Sequence, residues 1–156
     1  KCLCTCGKEV IVAGYSMLRG DTRSCGCKRI SFHETIIAEI LTNGHIEYAQ
    51  QYTFNDCKDT RPLPFDIAII DNNMAVGLIE YDGEQHYFPV NFGGISGQQA
   101  LLNFDRSKKH DKIKNDYCEQ HNIPLLRIPY FEKKNLEKIV NDFVNQLNIK
   151  GENNYD

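Results

Sequence analysis

The stretch that most constrains this chain is FDIAIIDNNMAVGLIEYDGEQH, residues 65–86. Two apolar, β-rich runs, 65–70 and 76–81, are each broken by one acid, Asp66 in the first and Glu80 in the second. Runs of this length and composition predict strands. Asp71, Asn72, Asn73 and Met74 between them predict a tight turn, because Asn and Asp tolerate left-handed backbone and bond their own main chain. Side chains alternate along a strand, so Glu80 and Asp82 share a face with Leu78, and pairing of the two strands brings Asp66 beside them. Three carboxylates at the end of an otherwise buried hairpin repel one another, and solvent or a divalent cation is expected to neutralise them. Gly83 predicts a sharp turn, with His86 one short loop further on.

Cysteine sets the second constraint. Of seven cysteines, Cys2, Cys4, Cys6, Cys25 and Cys27 fall at the start of the chain, while Cys57 and Cys118 stand alone. Two tight clusters about twenty residues apart suit a structural zinc ion, each cluster placing two thiolates on it. Cys4, Cys6, Cys25 and Cys27 form the symmetric set, four of the five, with Cys2 the spare. Residues 9–13 predict a short strand and the rest of the segment a loop. A unit this small has almost no core, so bound metal would supply its folding energy. Disulfides in a secreted protein are the alternative, and nothing else in the chain points to secretion.

Ser31 and Glu34 form a capping box that opens a helix whose buried stripe is Ile36, Ile37, Ile40 and Leu41, closed by Asn43 and Gly44. Glu34 therefore has two readings, a helix cap or a member of the carboxylate cluster. Residues 46–54 alternate as a strand, and the polar, proline-bearing 55–64 predict a loop holding Cys57 as a free thiol. Residues 87–97, with Pro89, Gly93, Gly94 and Gly97, predict an open loop that contacts substrate. A long polar helix over 98–121 carries Asp105, Lys108, Lys109 and Lys112 on one face and Asp111, Lys114, Asn115 and Cys118 on another. PLLRIP, 124–129, predicts a buried strand with Arg127 its one charge. Leu136, Ile139, Val140, Phe143, Val144 and Leu147 predict an amphipathic closing helix.

At 156 residues the chain suits one compact domain with a small appendage: residues 1–29, residues 30–150, and a frayed, disordered tail over 151–156. It is 41% apolar and 25% charged, ordinary for a soluble globular protein. No apolar run is long enough to span a bilayer and no signal peptide is visible, so a cytoplasmic location is expected. The first residue, Lys1, suggests a trimmed fragment. Net charge is −3, but residues 1–29 hold six basic against two acidic side chains, a net +4, leaving −7 for the remainder. A basic head on an acidic body fits a nucleic-acid-contacting module beside a metal-binding one. A solvated surface of uneven charge fits equally.

The predicted order, helix, three strands, helix, strand, helix, together with Asp66 and Glu80-Tyr81-Asp82, resembles the PD-(D/E)xK nuclease core. There an aspartate on one hairpin strand and an acidic-x-lysine on the next hold Mg²⁺. Phe65 here replaces the motif's proline, and Asp82 stands where its lysine would be. Glu34, Asp66, Asp82, His86 and Asp111 fit, in order, the branch that resembles very-short-patch repair endonucleases and the phage homing endonucleases named for an EDxHD motif. IEYDGEQHY, HDKIKNDYC and LLRIPY carry that likeness, and the CxCxCG…SCGC head resembles elements that accompany DNA-targeting domains in phage proteins.

The resemblance implies an α/β (α+β) fold with a mixed central sheet flanked by helices, a small N-terminal zinc-binding element, and a metal-dependent endonuclease acting on double-stranded DNA. If the chain is phage-encoded, its place is the host cytoplasm or nucleoid. Mg²⁺ or Mn²⁺ on Asp66 and on Glu80 or Asp82 would activate water and clamp the phosphate. His86 is the expected general acid or base. Asp111 would orient His86 or a water, and Glu34 would complete the cluster. Arg19, Arg23, Lys28, Lys108, Lys109, Lys112 and Lys114 are the expected phosphate contacts. A non-catalytic zinc-dependent DNA-binding protein with a decayed nuclease fold, or a metal hydrolase acting on RNA, are the alternatives.

Overall fold

The computed structural model describes residues 1–3, 9–12, 14–18, 31–89 and 97–149. The chain divides into two compact units, Lys1–Ser31 and Phe32–Asp156. In the first, β1 (Cys2–Leu3) pairs antiparallel with β2 (Glu9–Val10), and α1 (Gly14–Leu18) follows. The strand expected over 9–13 is thus shorter, and five residues of the expected loop are helical. Lys1 pairs with Glu9 across the ladder. The Cys2 thiol donates to the Met17 thioether at 3.1 Å. Cys4, Cys6, Cys25 and Cys27 lie outside the described residues, as do Arg19, Arg23 and Lys28.

The second unit is a mixed α/β fold built on a four-stranded sheet. Its elements are α2 (Phe32–Asn43), β3 (Tyr48–Lys58), β4 (Pro62–Asp71), β5 (Met74–Asp82), α3 (Gly97–His121), β6 (Leu125–Pro129) and α4 (Leu136–Gln146). Spatial order is β3-β4-β5-β6, antiparallel except for the parallel pair β5–β6, which α3 connects. The β4–β5 turn is Asn72-Asn73, both at positive φ (49° and 62°), the backbone a two-residue hairpin loop demands.

Side chains of β4 and β5 enter two apolar layers, and both are filled. On one face Ile67, Ile69, Ile79 and Ile128 meet Ile37, Ala38 and Leu41 of α2 and Leu136, Val140 and Phe143 of α4. On the other, Phe65, Ala68, Leu78 and Cys57 meet Tyr117 and Cys118 of α3. Gly77 lets α4 approach β5: a Cβ there would lie 2.6 Å from Leu147 Cδ1 and 3.3 Å from the Phe143 ring. Among the described residues no helix is long and apolar enough to cross a membrane.

The loop expected over 55–64 is corrected. β3 continues to Lys58 and β4 starts at Pro62, so Cys57 is a buried strand residue with a free thiol. β3 is an edge strand, where polar side chains face water without breaking the ladder. Pro62 opens β4 and Pro64 pairs with edge-strand Thr53 beside a register shift, places where a missing N–H is tolerated.

Candidate active site

The strand register decides which acids meet. Ile67 opposes Ile79 on the hairpin, so Asp66 falls beside Glu80. The Tyr81 amide donates to Asp66 Oδ2 at 2.8 Å, and the Asp66 amide donates to Glu80 Oε1 at 3.1 Å. Lys114 of α3 reaches the same point and donates to Glu80 Oε1 and Oε2 at 2.8 and 2.7 Å, its ammonium 5.1 Å from the Phe65 ring centre. Burial pushes the Asp66 carboxyl up to about 7, and the charges of Glu80 and Glu34 add to that rise. Burial raises Glu80 as well, opposed by Lys114.

Glu34 sits in the first turn of α2, 6% exposed, and its Oε2 accepts the Gln51 amide at 3.1 Å. Gln51 itself lies inside β3 at φ 52°, at the point where the ladder skips the pairing opposite Asp66. Left-handed backbone in a strand is costly for a residue with a Cβ, and such strain gathers at functional sites. Its effect here is to aim an amide at Glu34.

A second group of charges adjoins the first along β5. In parallel register Glu80 stands opposite Arg127 and Asp82 opposite Pro129, so Arg127 projects on the same face as both acids. Arg127 Nε and Nη2 donate to Asp82 Oδ2 and Oδ1 at 2.8 and 2.5 Å. Nη2 also donates to Asp111 Oδ1 at 2.8 Å, and Nη1 to Asn115 Oδ1 at 3.2 Å. His86, in a single 3-10 turn (Glu84–His86), places Nδ1 3.0 Å from Asp111 Oδ2 and 3.7 Å from Asp82 Oδ1. A carboxylate only accepts, so Nδ1 carries the proton and Nε2 is the nitrogen left for other chemistry.

The hydrogen bond to Asp111 raises His86; burial opposes it, and the charges of Asp111 and Asp82 add to the rise. Asp111, which burial alone would push up, is held low by His86 and Arg127. Burial works against the Arg127 charge, and its bonds to Asp82 and Asp111 more than offset that, raising its pKa.

All six expected site residues therefore line one continuous polar seam, but as two groups: Glu34, Asp66 and Glu80 with Lys114, and Asp82, His86 and Asp111 with Arg127. The expectation that solvent or a metal must neutralise the hairpin acids is corrected, since two side-chain cations do much of that. Lys114 is corrected too: it is 9% exposed and bonded to Glu80, not open as a phosphate contact. Of the others, Lys109 pairs with Asp59 at 2.6 Å and Lys112 with Asp116 at 2.8 Å. Lys108 lies over the rings of Phe104 and Tyr87 at 5.4 and 5.8 Å. Most of the expected substrate loop, 90–96, lies outside the described residues, and Gly97 begins α3.

Arg127, Asn115 and Gln51 were not among the expected site residues. A lone arginine in an apolar strand was the available signal, since a buried guanidinium must have partners.

The donors suit a hard divalent cation. Carboxylate oxygens dominate, with one imidazole, a set that favours Mg²⁺ or Mn²⁺. One donor atom from each of Asp82, His86 and Asp111 lies within 4.8 Å of the others. Carboxylate oxygens bound to Lys114 or Arg127 keep further lone pairs. No protein-family model matches this chain, no curated protein does, and no solved structure does.

Proposed function

We propose that this protein is a metal-dependent DNA endonuclease of the PD-(D/E)xK type. The observation that carries the reading is the Asp66–Glu80–Lys114 cluster. Glu80, buried on β5, holds the Lys114 ammonium with both carboxylate oxygens, and Asp66 of the adjacent strand, its amide on Glu80, is left with a carboxyl that titrates near neutrality. Lys114 brings to Glu80, from a helix, the lysine that the strand motif lacks at Asp82. The element order, α2-β3-β4-β5-α3-β6, agrees with the resemblance.

Each part has a task in phosphodiester hydrolysis. Asp66 and Glu80, or Asp82, would hold Mg²⁺ or Mn²⁺, which supplies an acidified water and charge neutralisation at phosphate. Lys114, paired with Glu80, opposes the rise that burial imposes on that carboxyl and brings a fixed positive charge into the acidic group. His86, fixed through Nδ1 by Asp111, presents Nε2 to take or give a proton. The cluster stands where the parallel strands β5 and β6 end at Asp82 and Pro129, the side of such sheets where ligands bind. Duplex DNA is the proposed substrate. The Cys-rich head as a zinc element adding DNA contacts belongs to the same reading, on its cysteine spacing.

Incubation of supercoiled plasmid with the protein and Mg²⁺ or Mn²⁺ tests it. Metal-dependent nicks or breaks are expected, abolished by EDTA and by Asp66→Ala. His86→Ala should slow cleavage by about 10²–10⁴-fold. DNA binding without cleavage would replace the reading with a binding protein, and cleavage of RNA alone would replace the substrate.

A further inference from the structure

Arg127 is the only charge of β6, flanked by Leu126 and by Ile128, which is fully buried. Its guanidinium occupies both oxygens of Asp82 and one of Asp111. Those two carboxylates, with His86, form the group whose donor atoms come close enough to hold a metal ion. The arginine therefore stands on the same oxygens that a divalent ion would use. We propose that Arg127 is the resident cation of the Asp82–His86–Asp111 group and competes with a divalent ion for it, so that Arg127 sets the metal affinity there. This rests on the reading that a metal ion works in this seam.

Guanidinium suits that part better than ammonium. Its planar fork bonds one carboxylate through two parallel N–H groups while a further N–H reaches a second acid. Asp111 is held by Arg127 through Oδ1 and by His86 through Oδ2, so its two oxygens are divided between them. Asn115 accepts from Nη1 and steadies the far side of the guanidinium. With Arg127 in place the two acids stay ordered and largely neutralised before any ion arrives. An ion entering competes with these bonds for the same oxygens, and each bond it displaces frees a donor group beside the newly bound cation.

A purely structural ion pair makes the opposite prediction. Removing one partner of a structural pair leaves the acids disordered and weakens metal binding, whereas removing a competitor strengthens it. Mn²⁺ binding to the full chain is measured by calorimetry at pH 7.5 for the parent protein, Arg127→Gln and Arg127→Lys. Arg127→Gln should bind Mn²⁺ at least about tenfold more tightly, the scale on which groups around a metal set its affinity. Arg127→Lys, which keeps charge but loses the fork, should show a smaller gain. Adding His86→Ala to Arg127→Gln should remove the gain, assigning it to this group rather than to Asp66 and Glu80.

Thermal melts establish which variants fold, and Arg127→Lys carries the test if Arg127→Gln does not. Unchanged or weaker Mn²⁺ binding in every folded variant, or a gain that survives His86→Ala, overturns the proposal. The readout needs no DNA cleavage, so a chain without nuclease activity would refute the functional reading and still leave this result legible.

Discussion

The Asp66 carboxyl resists ionisation because it is buried beside Glu80 and Glu34, and that resistance has a definite pH window. Its pKa is 3.8 in a free chain and about 7 in the folded protein. Between those values the folded state holds a proton that the unfolded state has lost, so stability falls as pH rises from about 4 to about 7. Below pH 4 the penalty is absent; above 7 it is complete, at up to about 4 kcal/mol. Asp66→Asn keeps an oxygen for the Tyr81 amide and cannot ionise. Its midpoint of thermal unfolding should match the parent near pH 4 and exceed it at pH 8. Equal midpoints at both pH values would place the cost elsewhere. Gln51 poses a related trade between strain and function. Gln51→Gly relieves the φ of 52° and deletes the amide on Glu34. Urea unfolding should find stability within about 1 kcal/mol of the parent. Mn²⁺ affinity should fall about tenfold or more, and an unchanged affinity would make Gln51 a feature of the strand alone.

Among the elements, α4 is seated by an absence. Gly77 has no side chain where Leu147 and Phe143 descend on β5. Gly77→Ala should cost about 1 kcal/mol, because the end of Leu147 can turn aside, and Gly77→Val about 2–3 kcal/mol as overpacking reaches the Phe143 ring. Urea unfolding measures both, and a neutral Gly77→Val would show that α4 yields freely. The site lies at the far end of β5 and should keep its Mn²⁺ affinity. The same elements show what could be read from sequence. The hairpin and β6 follow from short apolar runs, because both faces of the sheet are covered; α2 and α4 follow from helical periodicity, because each buries one face in a core layer, and α3 follows from charged side chains at helical spacing. The extension of β3 to Lys58 does not, since an edge strand spends polar residues on water. Lys114 was visible on a face with Asp111, Asn115 and Cys118, but its bond to Glu80 depends on where α3 lies across the sheet. Arg127 was visible as a stray charge, but its acids were not, because parallel pairing of β5 with β6 joins segments with the whole of α3 between them.

In the molecule as a whole, β5 becomes an inner strand only when β6 joins it. Until then the hairpin carries an open edge made largely of Val76, Gly77, Leu78 and Ile79, apolar and rich in β-forming residues. On a ribosome adding about 5–20 residues per second, the wait for residues 83–124 is on the order of 2–8 seconds. Such an edge invites pairing with another nascent copy. Glu80 and Asp82 lie on it without Lys114 for most of that interval, and without Arg127 for all of it. Two uncompensated charges on one strand repel a second identical strand. The acids that line the candidate site of the finished fold are thus, on the unfinished chain, its guard against aggregation.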